Sequence, residues 1–223
     1  MEIKSPRSRR TAGILYTIGS FLIWGFVPPY WKLIDHVPAL QIPAHRILWT
    51  CLLLALLITI RRSWMSVRDA LRNRRTALTL ALTAALVSLN WTVFILAVLA
   101  NRLVDTSMGY FINPLVNVAL GVIVLRERLS LWQGISVACA LAGVLFLTVQ
   151  YRSLPYISLV LALSFGFYGL LRKTIAVDST TATFLETLYL LPVTLLFLGR
   201  EGALGRSAFG TADALTHILL VFA

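Results

Sequence analysis

The sequence predicts an all-α integral membrane protein, a multi-helix bundle made of two inverted five-helix repeats. Of its 223 residues, 58% are hydrophobic and only 13% are charged. Soluble domains average about 45–50% apolar and about 25% charged residues. The apolar runs are long enough to cross a bilayer, which takes about 20 residues of helix. They are continuous rather than alternating, which disfavours a membrane β-barrel.

The apolar runs predict seven complete membrane helices and the start of an eighth. The predicted helices cover about 12–34, 39–60, 76–100, 105–129, 131–149, 154–172 and 183–198, with the eighth beginning near 212. Residues 1–11 are a basic segment, and the run that follows is too long for the apolar part of a signal peptide. We therefore expect an uncleaved first helix, and a short surface helix in the basic stretch 61–75.

Basic residues alternate between the two ends of the predicted helices. Fourteen of the twenty Lys and Arg residues fall on one side, in the N-terminal segment and in the loops near 61–75, 126–128 and 172–173. Positive charge favours the cytoplasmic side, so the N-terminus is expected in the cytoplasm. The net charge of +11 then reflects orientation and contact with anionic lipid, and no nucleic-acid partner is expected.

A shift of 141 residues superimposes the first two predicted helices on the sixth and seventh. The coincident positions are Gly25 on Gly166, Lys32 on Lys173 and His45 on Glu186. This divides the chain into a first repeat, residues 12–149, and an incomplete second repeat, residues 154–223. Because five helices per unit is an odd number, the second unit must be inverted, as in many secondary transporters. A complete second repeat would extend beyond Ala223, so we expect a truncated form of a ten-helix protein.

The fourth predicted helix, running to Leu129, contains a proline inside its apolar run. Pro114 cannot donate to the carbonyl of Tyr110, and a freed carbonyl in hydrocarbon needs protein or a wet cavity around it. Asn113 and Asn117 lie one turn apart on the same face. We interpret these residues as lining a solute path; the alternative is a kink whose asparagines bond to neighbouring helices.

Two further stretches carry polar or helix-breaking residues within apolar runs. Pro28 and Pro29 follow Trp24 in the first helix and mark a second predicted break; paired broken helices are typical of transport sites. Asn90 and Trp91 lie in the middle of the third helix, where they could contact a solute or simply pack. The tryptophans near run ends are expected at the membrane interface, namely Trp31, Trp49 and Trp132.

Ionisable residues inside apolar runs are costly and often functional. His45 and Arg46, early in the second helix, could bind a carboxylate or take up a coupling proton. The alternative is an interfacial pair in which Arg46 extends toward water. Glu186, at the equivalent place in the seventh helix, could carry a proton. Its alternative is a structural ion pair with Arg172 or Lys173.

The fifth predicted helix presents small residues at fourfold spacing, Gly134, Ala138 and Ala142. Such spacing lets helices approach closely, so this face is a candidate contact within the bundle or between protomers of a homo-oligomer. The sequence has no catalytic motif, no metal-binding spacing and no phosphate loop. We therefore expect no enzyme activity, metal or cofactor.

Several segments resemble the EamA-type permeases of the drug/metabolite transporter superfamily, in particular the RarD subfamily. They are FLIWGFVPPYWKLIDHVPALQIPAHRILWT, LNWTVFILAV, MGYFINPLVNVALGVIVLRERLSLWQGISVACALAGVL, SFGFYGLLRKTIA and LETLYLLP. The Glu127-Arg128 pair is a broader mark of the superfamily. The resemblance implies a ten-helix permease of the bacterial inner membrane that moves small metabolites.

The sequence thus predicts a secondary transporter of a small solute, working by alternating access. The main alternative is a non-transporting truncated membrane protein that acts as a scaffold or is a defunct fragment. An intramembrane enzyme using His45 and Glu186 is weaker, because the repeat places these residues toward opposite sides of the membrane.

Overall fold

The computed structural model describes residues 6–124, 126–151, 155–210 and 212–222, and within these ranges the regular structure is helical. This confirms the all-α prediction. The described helices are α1 (Pro6–Lys32), α2 (Gln41–Ile60), α3 (Trp64–Arg72), α4 (Arg74–Leu99), α5 (Leu103–Ile123), α6 (Leu131–Tyr151), α7 (Tyr156–Lys173), α8 (Ser179–Ala203) and α9 (Ala214–Val221).

Six of the described helices are long and apolar enough to cross a membrane, namely α2, α4, α5, α6, α7 and α8. The multi-pass membrane prediction is therefore confirmed. Helix α1 has 27 residues but is not among the six. The short helix α3 lies within the basic stretch where a surface helix was expected.

Helices α2 and α8 pack against each other in opposite directions. At one end, the Gln41 side chain at the start of α2 bonds to the backbone of Arg206 and Ala208, just after α8. At the other end, Trp64, beyond the end of α2, meets Phe184 near the start of α8 with ring centroids 5.7 Å apart. These contacts at both ends make the pair antiparallel.

Helix α4 lies at the centre of the described bundle, in contact with α1, α2, α3, α5, α7 and α8. One apolar cluster, built around Trp31, Ile42 and Ile95, joins α1, α2, α4, α7 and α9. A second, around Ile58 and Leu185, joins α2, α3, α4 and α8. Helix α6 is peripheral: it packs on α5, and its described side chains are largely exposed.

The predicted fourth helix ends earlier than the apolar pattern suggested. Helix α5 stops at Ile123 rather than Leu129. Arg126 has a left-handed backbone (φ 56°), and the Glu127 N–H donates to the Gly121 carbonyl at 3.1 Å, six residues earlier. Glu127 and Arg128 therefore lie in an exposed non-helical segment, where the prediction placed them at the helix end.

The predicted breaks at the prolines are corrected by the structure. Helix α1 continues through Pro28 and Pro29 to Lys32, and α5 continues through Pro114 to Ile123. A proline removes one backbone N–H donor and crowds the preceding turn. The remaining backbone hydrogen bonds of a long helix can nevertheless keep the helix continuous. These residues leave carbonyls without their usual donor, and they do not divide either helix.

Aspartate and asparagine side chains cap three of the helices. Asn73 accepts from the Thr76 N–H at the start of α4, and Asp178 accepts from the Thr181 N–H at the start of α8. The hydrogen bonds from Thr181 hold the pKa of the Asp178 carboxyl below its ordinary value. Asp213 caps α9 in the same way. The helix starts are thus fixed by side-chain caps of the usual kind.

Helices α5 and α7 approach closely at Gly166, where a Cβ atom would lie 2.6 Å from Val116 Cγ1. Because valine has one strongly preferred rotamer in a helix, an added methyl group must push the helices apart. Gly166→Ala should lower the free energy of unfolding by about 1–3 kcal/mol, as overpacking does. Denaturant-induced unfolding in detergent micelles measures this change.

Gly169→Ala is the matched control, because it lies one turn further along α7 and a Cβ there would meet nothing within 4 Å. It should be neutral or stabilising by up to about 1 kcal/mol, the difference in helix propensity. Equal effects of the two substitutions would contradict the close approach of α5 and α7.

Candidate functional site

Two buried polar clusters lie toward opposite ends of the α2–α8 pair. The first, which we call the Arg46 cluster, contains His45, Arg46 and Trp49 of α2, Trp31 of α1, Trp91 of α4 and Phe209 of the segment after α8. The second, the Glu186 cluster, contains Glu186 of α8, Thr83 of α4, and Tyr168 and Arg172 of α7.

The first turn of α2 positions the Arg46 cluster. Pro43 is the third residue of the helix, where its missing N–H is one that has no helical partner in any case. Gln41, fully buried, accepts from the Ala208 N–H at 2.8 Å and donates to the Arg206 carbonyl at 2.7 Å. This pair of bonds holds residues 206–210, which we call the Phe209 segment, against the start of α2.

His45 is buried, with 4% of its surface exposed. Its ring lies 5.3 Å from the ring of Phe209, centroid to centroid, at an interplanar angle of 32°. Neither ring nitrogen has a hydrogen-bond partner among the described residues. An imidazole in this position retains its capacity to donate or accept a hydrogen bond.

Arg46 is half-buried and held by aromatic faces. Its guanidinium carbon lies 4.5 Å from the centroid of the Trp91 ring and 5.8 Å from that of Trp31. Within the described ranges, no carboxylate lies within ion-pair distance of it. Arg46 Nε and the neighbouring Trp49 Nε1 are both buried without a hydrogen-bond partner. The charge is therefore stabilised by cation–π contacts with the two indole rings.

The Glu186 side chain is buried, with 1% of the residue exposed, and receives donors from two other helices. Thr83 of α4 donates to Oε1 at 2.8 Å, and Tyr168 of α7 donates to Oε2 at 3.4 Å. Arg172 Nε lies 4.0 Å from Oε1. A buried carboxylate is tolerated when it is bonded and paired in this manner, so Glu186 joins α4, α7 and α8. Of its two expected partners, Arg172 is the one in contact.

Asn90 connects α4 to α7 through its side-chain amide. Its amide donates to the Leu161 carbonyl and to Ser164 Oγ, each at 2.9 Å. Its neighbour Trp91 turns to the other side and covers Arg46. Of this pair, only Trp91 joins the Arg46 cluster.

The remaining predicted path residues are not members of either cluster. Asn117 donates to Asn113 at 3.3 Å, so the two side chains are neighbours as expected. Tyr110 is 55% exposed and packs edge-on against Phe94 at 5.9 Å. Trp24 is 48% exposed on the outside of α1.

Several members of the clusters were not expected from sequence. Trp31 and Trp49 were predicted at the membrane interface, but Trp31 is 2% exposed and both pack around Arg46 or Phe209. Thr83 and Phe209 come from segments with no distinguishing pattern. Tyr168 was also not expected; it lies one turn before Arg172, the expected partner of Glu186, on the same helix.

A separate cavity of about 510 Å³ lies at the α3 side of the bundle. Its polar lining comes from α3, the start of α4 and the 174–178 segment, and includes Asp69, Arg75 and Asp178. No member of the Arg46 or Glu186 cluster lines it. Among the described residues, no group of His, Cys, Asp and Glu side chains could hold a metal ion.

Residues 11–149 match the EamA-like transporter family. The chain belongs to this family. It is 43% identical to Protein RarD of Salmonella typhimurium over 97% of this chain and 69% of that protein. It is 40% identical to Protein RarD of Escherichia coli over 100% of this chain and 74% of that protein. An uncharacterized transporter of Vibrio cholerae is 46% identical over 83% of this chain and 62% of that protein.

These comparisons confirm the resemblance to the EamA-type permeases and their RarD subfamily. The chain is a multi-pass membrane protein of a transporter family. The Arg46 cluster draws most of its residues from the matched segment, whereas Glu186 lies beyond it. No solved structure matches the chain.

The hydrogen bond from Thr83 to Glu186 should contribute measurably to stability. Thr83→Val keeps the shape of the side chain but leaves Oε1 of a buried carboxylate without its shortest donor. We expect the free energy of unfolding to fall by about 1–3 kcal/mol. Unfolding in detergent, followed by tryptophan fluorescence, measures the change.

Thr79→Val, one turn earlier on α4, provides the control. The Thr79 hydroxyl donates to the Arg75 carbonyl of its own helix. Its replacement should cost less than about 0.5 kcal/mol, as for surface substitutions generally. A Thr83→Val protein as stable as Thr79→Val would mean that the bond to Glu186 does not form.

Proposed function

We propose that this protein is a secondary transporter that moves a small metabolite or drug-like solute across the bacterial inner membrane by alternating access. Membership of the EamA-like transporter family supports this proposal. The observation that carries it is the Arg46 cluster, where a histidine and an arginine lie inside an apolar bundle with donors that no described residue uses. Ionisable groups in such places are typical of solute and ion pathways.

The antiparallel α2–α8 pair supports an inverted-repeat organisation. These helices are the second helices of the two repeats inferred from sequence, 12–149 and 154–223. Equivalent helices of inverted repeats run in opposite directions and meet at the repeat interface, where transporters bind their solutes. We infer that the two repeats rock against each other about this pair.

Glu186 is suited to couple that motion to a proton. In its charged form it attracts Arg172 and accepts from Thr83 and Tyr168, which ties α8 to α4 and α7. Protonation would remove the charge and weaken the attraction to Arg172. Helix α7 could then move relative to α8, as alternating access requires.

We propose the lipid bilayer as a partner besides the solute. The excess of basic residues on one side supports a cytoplasmic N-terminus.

Helix α6 offers a surface for protein contact. On this helix, Ala138 and Ala142 are exposed, and a Cβ at Gly134 would meet nothing within 4 Å. This small-residue face is available for contact with another protomer. The same exposure favours a second candidate function, that of an assembly partner without transport activity.

Transport can be tested before the solute is identified. Proteoliposomes containing the protein would be incubated with a defined mixture of amino acids, organic acids and nucleosides, under an imposed pH gradient. Mass spectrometry of the washed vesicle contents should show at least one solute enriched tenfold or more over empty vesicles. Glu186→Gln, which preserves the shape but not the titration, should abolish the dependence on the pH gradient.

Glu201→Gln is the matched control, because Glu201 lies on the same helix and pairs with the exposed Arg200. It should leave accumulation unchanged. Vesicle contents identical to those of empty liposomes, with correctly folded protein in the membrane, would contradict transport and favour the assembly function.

A further inference from the structure

Arg46 differs from the other arginines whose ion pairs the structure describes. Arg102 pairs with Asp105, Arg172 lies near Glu186, and Arg200 pairs with Glu201. For Arg46, within the described ranges, there is no acidic partner, although the guanidinium lies inside the bundle. A partly buried charge without a counter-ion is costly, so the site favours the arrival of an anion.

Unpaired donors surround this charge. Arg46 Nε and Trp49 Nε1 are buried donors without a partner among the described residues, and His45, whose two ring nitrogens are also unpartnered, adds one N–H donor in either neutral tautomer. His45 and Trp49 are four residues apart, on one face of α2. All three residues lie in the first half of α2. Together they offer N–H donors of the kind that bind a carboxylate.

The walls of the cluster are flat and aromatic. Trp91 and Trp31 lie against the Arg46 guanidinium. The Phe209 ring lies tilted against the His45 ring and 6.0 Å from the Trp49 ring, centroid to centroid. Rings of this kind pack well against another planar aromatic ring, in offset or edge-to-face geometry. The Phe209 segment is held over the cluster by the two hydrogen bonds of Gln41.

We propose that the Arg46 cluster binds the carboxylate of a planar aromatic acid, with the charge against Arg46 and the ring between the indole and phenyl groups. This names the substrate class of the transport site and rests on the proposed transport function. The Phe209 segment must move away to admit the ligand, and it covers the ligand once it is bound.

Binding tests the proposal without requiring transport. The protein in phosphatidylcholine nanodiscs would be titrated with benzoate, phenylacetate and indole-3-acetate, followed by isothermal calorimetry and thermal unfolding. Each acid would be compared with its neutral amide, which has the same ring and shape. We expect at least one acid to bind ten times more tightly than its amide.

Variants locate the binding to the cluster. Arg46→Gln should weaken acid binding at least tenfold and reduce the preference over the amide to near unity. Arg46→Lys, which keeps the charge, should retain that preference even if affinity falls. Arg200→Gln, a loss of the same charge at an exposed ion pair, should leave binding unchanged. The retained circular dichroism spectrum and unfolding temperature of each variant report folding.

Lipid is the other source of an anion, and a parallel titration distinguishes it. If phosphatidylglycerol stabilises the protein in an Arg46-dependent manner while none of the three acids binds, the proposal is overturned. Equal binding of acids and amides also overturns it, as does acid binding that survives Arg46→Gln unchanged.

Failure of transport is a separate result. Vesicles that show Arg46-dependent acid binding but no accumulation of any solute would contradict transport and leave the binding assignment standing. Accumulation of neutral or cationic solutes alone would contradict the assigned substrate class and leave transport standing.

Discussion

The antiparallel packing of α2 against α8 is the constraint on which the described architecture depends. It buries the start of each helix against the later part of the other, and so creates two protected places for polar side chains, one near His45 and one near Glu186. Hydrocarbon offers no hydrogen-bond partners. A polar atom placed there is therefore stabilised by bonding to another protein group, and one that stays unbonded is available to a ligand.

The two clusters solve that problem in different ways. At Glu186, donors from α4 and α7 converge on one carboxylate. The carboxylate therefore joins three helices, and its protonation would weaken that connection. At Arg46, indole faces stabilise the charge, and the N–H donors around it stay unpaired. The first arrangement connects helices through a carboxylate whose attraction to Arg172 would be lost on protonation. The second is suited to recognition, because its unmet hydrogen-bonding capacity is where a solute would gain affinity.

Sequence alone predicted the helical membrane fold and the family, because long apolar runs and local motifs are properties of the chain itself. It also selected Arg46 and Glu186, since charges inside apolar runs are rare. It could not show that Asn90 would be used to join α4 and α7, or that Trp31 would be buried. These outcomes depend on which helix faces meet. The helix breaks predicted at the prolines were wrong for a related reason. A long helix such as α5 can continue past a proline that lacks one backbone N–H donor.

The most direct test is cross-linking across the α2–α8 pair, in a background with Cys51 and Cys139 replaced by serine. Paired cysteines would be placed at residues 41 and 208, and at 64 and 184, and exposed to a short bifunctional maleimide in membranes. Antiparallel packing predicts cross-links within both of these pairs, and none in the mismatched pairs 41 with 184 and 64 with 208. Cross-links in the mismatched pairs would show parallel packing. They would contradict both the inverted arrangement and the separation of the two clusters.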